Sequence, residues 1–314
     1  MNSLVTGGAG FIGSNLAEAL VAGGHSTRVL DDLSTGYLEN VPSGAELIEG
    51  EVTDTEVVSK AVDDVEVVFH LAAHRAVLRS VEDPLANDWA NTHGTLTILD
   101  AARRAGVRRV VYVSSSSVYG GAAQRPTPET APTVPRSPYA VSKLAAEHYC
   151  RVFWELYGLE TVALRYFNVY GPRQRPDSAY AAVIPLFIEA VSRREPAVVH
   201  GDGGQSRDFT YISDAVAASL AAVAAPAERC SGRVYNVGGG GAHSLLDLLE
   251  LLGEIMGVEP TRVHVEPRAG DVRHSEAEIS AARRDLGYHP VVSFGEGLTE
   301  TVRWFSSRQS GRAT

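Results

Sequence analysis

Tyr139 and Lys143 stand four residues apart in Pro138–Tyr157, a stretch that predicts a helix closed by Gly158. That spacing puts both side chains on one face. A phenol takes up a proton near neutral pH only when it ionises far below its ordinary value of about 10, and a neighbouring ammonium pushes it that way. Ser114, Ser115, Ser116 and Ser117 end a predicted strand, Arg109–Val113. They therefore bring hydroxyls to the strand end where parallel sheets hold their ligands. A phenol, an ammonium and a hydroxyl in this arrangement can move a proton on and off a substrate oxygen. A tyrosine and a lysine at helical spacing can equally be a core ring beside a solvated amine, so the pair needs a companion.

The companion lies at the start of the chain. Gly7, Gly10 and Gly13 follow a short apolar strand, Ser3–Thr6, and open a helix whose apolar positions include Leu16, Ala19 and Leu20. Glycines at this spacing allow a tight turn and close backbone approach, so the helix N-terminus can face a pyrophosphate. Asp31 ends the next strand, Thr27–Leu30. A carboxylate there accepts hydrogen bonds from an adenosine ribose and repels a 2′-phosphate, which selects NAD over NADP. Asp31-Asp32-Leu33-Ser34-Thr35-Gly36 is also ordinary turn chemistry; together with the glycines it reads as a dinucleotide site. The positive ring of that cofactor would add to the lysine's pull on Tyr139.

These residues need a frame. Val65–His70 is apolar on both faces, as a central parallel strand should be. A helix follows over Asn91–Ala105 and another strand over Thr161–Arg165. Strand–helix alternation of this kind predicts a doubly wound parallel sheet covered on both faces. From about Asn168 the prolines 172, 176, 185 and 196 break the chain into shorter pieces. Gly201–Gly204 and Gly238–Gly241 read as turns, Leu245–Met256 as an amphipathic helix stopped by Gly257, and the polar tail after Trp304 as frayed. The expected division is a dinucleotide part, 1–167 with about 209–237, and a ligand part, 168–208 with 238–314, the site lying between them.

The chain has 314 residues, room for roughly two domains, and carries 28 basic against 38 acidic residues, a net charge of −10. That balance argues against binding a nucleic-acid backbone, which needs clustered cations. Cys150 and Cys230 match no metal or disulfide spacing, which suits a reducing compartment. With no apolar run near the roughly 20 residues that span a bilayer, the expectation is a soluble cytoplasmic protein without a metal.

The sequence resembles the extended short-chain dehydrogenase/reductases that act on nucleotide sugars. The resemblance runs through Gly7–Gly13, Asp31–Gly36, His70–Ala73, Ser114–Gly120, Ser137–Lys143, Arg165–Pro172, Gly201–Tyr211 and Arg268–Ser275. It implies an α/β, Rossmann-type doubly wound sheet with a smaller, mixed α/β C-terminal substrate domain. By the same resemblance Ser115, Tyr139 and Lys143 are the catalytic group. Further NAD contacts are implied at Gly7, Gly10, Phe11, Ile12 and Gly13, and at Asp31, Asp32, Ser34, Thr35 and Gly36. Others are implied at Leu71, Ala72, Ala73, Asn91, Ser114 and Tyr166, with Glu51 and Val52 by the adenine where the family often has Gly-Asp. Arg207 and Arg268 would hold the UDP phosphates, Asn168 would reach a phosphate and Asp271 the uridine ribose. Ser115, Ser116, Ser117, Arg175, Val183, His200 and Ser275 complete the implied substrate set. Relatives form homodimers through two helices, here Asn91–Ala105 and Ala140–Tyr157, where Phe153 and Trp154 could face a partner or the core.

Relatives that eliminate water or decarboxylate carry an acid just before Val-Tyr-Gly; here Ser116 and Ser117 stand there. The resemblance therefore implies 4-epimerisation of a UDP-hexose. Ser275, small at a gatekeeper position, would admit an N-acetyl group. The alternatives are a UDP-glucuronic acid 4-epimerase, with Arg175 meeting the carboxylate although Asn168 replaces the usual Thr, a 4,6-dehydratase, or a non-catalytic NAD-binding regulator.

Overall fold

The computed structural model describes residues 1–75, 77–174, 182–267 and 272–311, with side chains described as far as Arg308. Its strands are Asn2–Thr6 (β1), Ser26–Asp31 (β2), Ala45–Glu49 (β3), Val67–His70 (β4), Arg109–Ser115 (β5), Glu160–Tyr166 (β6) and Val169–Tyr170 (β7). Ala197–His200 (β8), Ser206–Asp208 (β9), Thr210–Tyr211 (β10), Arg233–Val237 (β11), Ala242–Ser244 (β12), Arg262–Val265 (β13) and His274–Ser275 (β14) follow. The first helices are Phe11–Ala22 (α1), Thr55–Ala61 (α2), Val77–Glu82 (α3), Pro84–Asp88 (α4), Gly94–Ala105 (α5) and Pro138–Tyr157 (α6). The later ones are Val183–Arg193 (α7), Ile212–Ala224 (α8), Ala227–Cys230 (α9), Leu245–Met256 (α10), Ser280–Leu286 (α11) and Phe294–Gly311 (α12).

Seven strands form one parallel sheet in the order β11-β6-β5-β4-β1-β2-β3. The chain reverses its direction of travel across the sheet between β1 and β4, and ligands of such sheets bind at that crevice. Period-two alternation sends Leu4, Val68, Val110 and Ala163 to one face, against α2, α5 and α6. It sends Val5, Phe69, Val111 and Leu164 to the other, against α1, α8 and α11. A third apolar cluster joins α7, α10 and α12 around Phe187, Leu248, Leu252 and Leu298.

Helix α6 begins where Ser137 accepts a hydrogen bond from Ala140 N and Pro138 occupies the first turn; it stops at Gly158, whose φ is 69°. Three elements depart from the sequence reading. The helix expected from Asn91 starts earlier: Asp83 caps α4, and one wide turn, Trp89–His93, runs straight into α5. The serine run is part of β5 as far as Ser115. The tail does not fray after Trp304, because Phe305 is buried in the third cluster and Arg308 pairs with Glu39.

Candidate active site

A cavity of about 390 Å³ opens at the crevice between β1 and β4. Its floor is the glycine turn. Gly7 has φ +71°, and a Cβ on it would meet Ala72 N at 2.8 Å, while one on Gly13 would meet Gly7 O at 2.2 Å. The cradle therefore accepts only hydrogen at both positions. Gly10 precedes α1 without any side-chain cap, which leaves the first-turn N–H groups to an anion. Phe11 and Ile12 line the same wall, as do Asp32, Ser34, Thr35, Glu51 and Val52 toward one end and Leu71, Ala72 and Ala73 toward the other. Asp31, 7% exposed, accepts hydrogen bonds from Ala9 N and Leu33 N, both at 2.9 Å. Burial raises its pKa, and these two bonds work against that shift. The carboxylate is thus aimed by the loop. Turn, uncapped helix and oriented carboxylate together fit a dinucleotide.

Four of the further cofactor residues predicted from sequence do not line this cavity: Gly36, Asn91, Ser114 and Tyr166. Gly36 packs on Ala9. Asn91 is buried, bonded to His74 N and O and to Ser142 Oγ, so it ties the loop after β4 to α6. Tyr166 turns its hydroxyl to Ala215 O and Ser219 Oγ inside the core. Arg173, which the sequence reading passed over, lines the cavity from the segment after β7. Its φ is 71°, its Nη2 pairs with Glu18 of α1 at 2.8 Å, and its Nη1 is buried with no partner among the described residues.

At the carboxyl end of β5 the phenol, ammonium and hydroxyl meet. Lys143, 3% exposed, donates from Nζ to Val113 O at 2.8 Å, with the Tyr112 ring centre 4.9 Å and the Tyr139 ring centre 5.9 Å away. Burial lowers the Lys143 pKa to about 8, against an upward pull from Glu147. Burial raises the Tyr139 pKa, and Ser115, which lies close to the phenol, and the Arg75 charge oppose that rise. Ser115 Oγ accepts from Ser117 N at 3.2 Å. Ser114 is buried and gives its hydroxyl to Glu147, and Ser117 keeps a buried hydroxyl with no partner among the described residues.

His70, on neighbouring β4, is held neutral by burial, its pKa lowered to about 3. Thr95 donates to Asn91 O, so His70 Nε2–H donates to Thr95 and Nδ1 accepts from Thr6. Thr6 in turn accepts from Leu71 N and Ala72 N, which fixes the cavity wall.

A second cleft brings together Asn168, Val183, His200 and Arg207. Asn168 sits at φ 34° and donates to Asp208 O at 3.0 Å; His200 donates from Nδ1 to Glu266 O. Ser275 pairs in register with Arg207. Gln174 and Gln205, both 6% exposed, line the cleft with an Oε1 that has no donor among the described residues. Sequence reading passed over both; only the fold marks them, as acceptors without partners. Arg175, Arg268 and Asp271 lie outside the described residues. Among the described residues no cluster of three or more His, Cys, Asp or Glu is placed to hold a metal ion, and no helix is long and apolar enough to cross a membrane.

The parallel sheet, its glycine crevice and the Ser-Tyr-Lys group at β5 define an extended short-chain dehydrogenase/reductase that uses NAD. The chain belongs to the NAD dependent epimerase/dehydratase family, whose model matches residues 3–238. It is 39% identical over 315 residues to a UDP-glucose 4-epimerase of Mycolicibacterium smegmatis, with 98% of this chain and 99% of that protein covered. Among solved structures it resembles the UDP-glucose 4-epimerase of Thermotoga maritima with UDP-glucose, at TM-score 0.94 and 38% identity, covering 98% of this chain and 100% of that one. The UDP-N-acetylglucosamine 4-epimerase of Methanobrevibacter ruminantium, in complex with UDP-N-acetylmuramic acid, matches at TM-score 0.92 and 38% identity, with 98% of each chain covered.

Proposed function

We propose that this chain is an NAD-dependent UDP-hexose 4-epimerase, acting on UDP-glucose and UDP-galactose and, through the small Ser275, on their N-acetylamino counterparts. The observation that carries the reading is the end of β5. Ser115 lies beside Tyr139 there, and the turn that follows carries Ser116 and Ser117 instead of a carboxylate. Elimination or decarboxylation needs an acid or base beside C5, which a serine does not supply near neutral pH. NAD, held by the glycine crevice and Asp31, supplies a hydride acceptor and donor.

Tyr139 takes the proton of the sugar 4-OH as the C4 hydride departs, which leaves a 4-keto sugar. Ser115 hydrogen-bonds the same oxygen. Lys143 holds its positive charge beside them. When the sugar has turned about its diphosphate link, Tyr139 returns the proton as hydride comes back to the opposite face, so the net change is inversion at C4. Arg207, His200 and Asn168 grip the nucleotide end, with Arg268 and Asp271 in the same role.

The reading divides the chain into a dinucleotide part, 1–167 with 209–237, and a nucleotide-sugar part made of the rest, and it places the protein in the cytoplasm. It also pairs two copies through α5 and α6, where Val141, Leu156 and Tyr157 are exposed. Phe153 belongs to the chain's own core, and half-buried Trp154 packs over Gly232. Sedimentation of the purified protein as a monomer would remove the pairing.

The test of the function is incubation with UDP-glucose, UDP-galactose, their N-acetyl forms and UDP-glucuronic acid, with the products resolved by chromatography and NMR. C4 epimers of the neutral sugars are expected. Keto or unsaturated products, or turnover of the uronate alone, overturn the reading.

A further inference from the structure

Behind Tyr139 and Lys143 the same face of α6 carries a third polar group. Glu147 follows Lys143 by the four residues that separate Lys143 from Tyr139, so the three side chains form one stripe along the helix. All three reach β5, and they take three successive residues of it. Lys143 donates to Val113 O, Glu147 accepts from Ser114 Oγ, and Tyr139 faces Ser115. Glu147 is only 4% exposed and lines neither cavity.

Its charge is met from β6. Arg165, 5% exposed and the register partner of Ser114, donates from Nε to Glu147 Oε1 at 2.9 Å and from Nη2 to Oε2 at 2.7 Å. Its Nη1 donates to the Tyr119 hydroxyl at 2.8 Å and to Glu129 O at 3.4 Å. Tyr119 donates on to Asn236, which reaches the carbonyls of Thr127 and Glu278. A buried ion pair is a weak source of stability, because apolar side chains of equal volume hold elements together as well or better. What apolar side chains do not supply is a negative charge one turn behind a buried ammonium.

We propose that Glu147, clamped by Arg165, is a positioning residue for the Tyr139–Lys143 pair: it pins α6 to the end of β5 and holds a compensating charge behind the ammonium. The proposal rests on Tyr139 and Lys143 being the reacting pair. Burial draws the Lys143 pKa down to about 8, and Glu147 is the largest influence in the other direction. The other groups facing Lys143 are Cys150 and Tyr139 on α6, Tyr112 on β5 and neutral His70 on β4. Without the Glu147 charge the ammonium gives up its proton at lower pH, and turnover fails earlier on the alkaline side.

The test compares NAD-loaded parent enzyme with Glu147→Gln, Glu147→Asp, Ser114→Ala and Tyr139→Phe, using UDP-galactose and UDP-glucose across pH 6–10. Glu147→Gln keeps the shape and the acceptor for Ser114 but loses the charge. Its kcat falls by about tenfold or more with KM little changed. Its alkaline limb moves down by about one pH unit, and Glu147→Asp restores that limb. A Glu147→Gln enzyme with the parent's kcat and pH profile, or one that melts earlier while its alkaline limb stays in place, overturns the proposal. Should Glu147→Gln fail to fold, Ser114→Ala carries the test. It lowers kcat several-fold at constant KM, and parental turnover in it overturns the pinning. Turnover in Tyr139→Phe defeats the reading of the reacting pair instead, whereas a dead Tyr139→Phe beside an unaffected Glu147→Gln defeats this proposal alone.

Discussion

Strands β5 and β6 lie in register from Arg109↔Glu160 to Ser115↔Tyr166, and each end of the pair buries an arginine against a glutamate. At the amino end Arg109 meets Glu160 at 2.7 Å and donates to the carbonyls of Ala222, Val223 and Ala225, where α8 stops. Those carbonyls have no partner within the helix, and a cation there also opposes the helix dipole. At the carboxyl end Arg165 meets Glu147 on the helix that carries Tyr139 and Lys143. The chemistry is the same and the employment differs. One pair closes a helix onto the sheet; the other stands behind the proposed reacting groups. The polarity of a parallel sheet makes the distinction, since its carboxyl edge is where ligands bind.

The comparison breaks first on Tyr139. Tyr139→Phe removes the proton acceptor and leaves the ring, so turnover of UDP-galactose falls by about a thousandfold. The variant retains NAD, measured as nucleotide released on denaturation, and melts with the parent. Residual turnover close to the parent's would remove the carboxyl edge as the seat of chemistry.

At the other end, Arg109→Ala leaves the carbonyls of Ala222, Val223 and Ala225 without their guanidinium donor and Glu160 with only the longer contact to Arg108, at 3.5 Å. The folded state loses about 3 kcal/mol in urea unfolding, roughly a hundredfold in the folding equilibrium. The molecules that remain folded keep the parent's kcat and pH profile. A displaced pH profile in Arg109→Ala would show that the two ends are not separate in function.

Arg173 sharpens the carboxyl end. It reaches across from the segment after β7 to the cavity beside α1, with Nη1 buried and unpartnered among the described residues. Arg173→Met keeps the stem and loses the cation, so NAD affinity falls about tenfold, the worth of one hydrogen bond to a charged group. Calorimetry on nucleotide-stripped protein measures it; equal affinity would mean that the guanidinium serves only Glu18.

Which of these groups the sequence discloses follows from how local their signals are. The Gly7–Gly13 spacing, the Tyr139–Lys143 spacing and the serines after Val113 are local patterns, and the fold gathers them at the carboxyl edge of the sheet. Asn91 and Tyr166 also lie beside the site in sequence terms, yet their side chains bond inward to His74 and Ser219, an orientation set by packing. Arg173, Gln174 and Gln205 are marked only by polar atoms left without partners, which exists as a signal once the chain is folded. Glu147 stands four residues after Lys143, yet the sequence reading passed over it, since its partner Arg165 lies 18 positions away on another strand. The wide turn at Trp89–His93 has no local signature, and it moved the start of that helical run back to Pro84.

Asp208 gives the smallest effect and the finest distinction, because it puts a titration at the carboxyl edge. Its carboxylate is fully buried on β9 and accepts from Gly239 N at 2.6 Å and Ala277 N at 3.0 Å, which holds the loop after β11. Burial raises its pKa to about 6, the two backbone bonds pull the other way, and the Glu276 charge adds to the rise. A carboxyl whose folded pKa exceeds its ordinary 3.8 binds its proton more tightly in the folded state. Its contribution to stability is therefore fully present below pH 3.8 and is lost as the pH rises through about 6. Asp208→Asn cannot titrate, so the stability difference between parent and variant shifts in the variant's favour from pH 4 to pH 7. Urea unfolding of both proteins at unit intervals of pH measures this. Parallel curves over that window would mean that Asp208 is ionised throughout, held by its two backbone donors against the desolvation that opposes them.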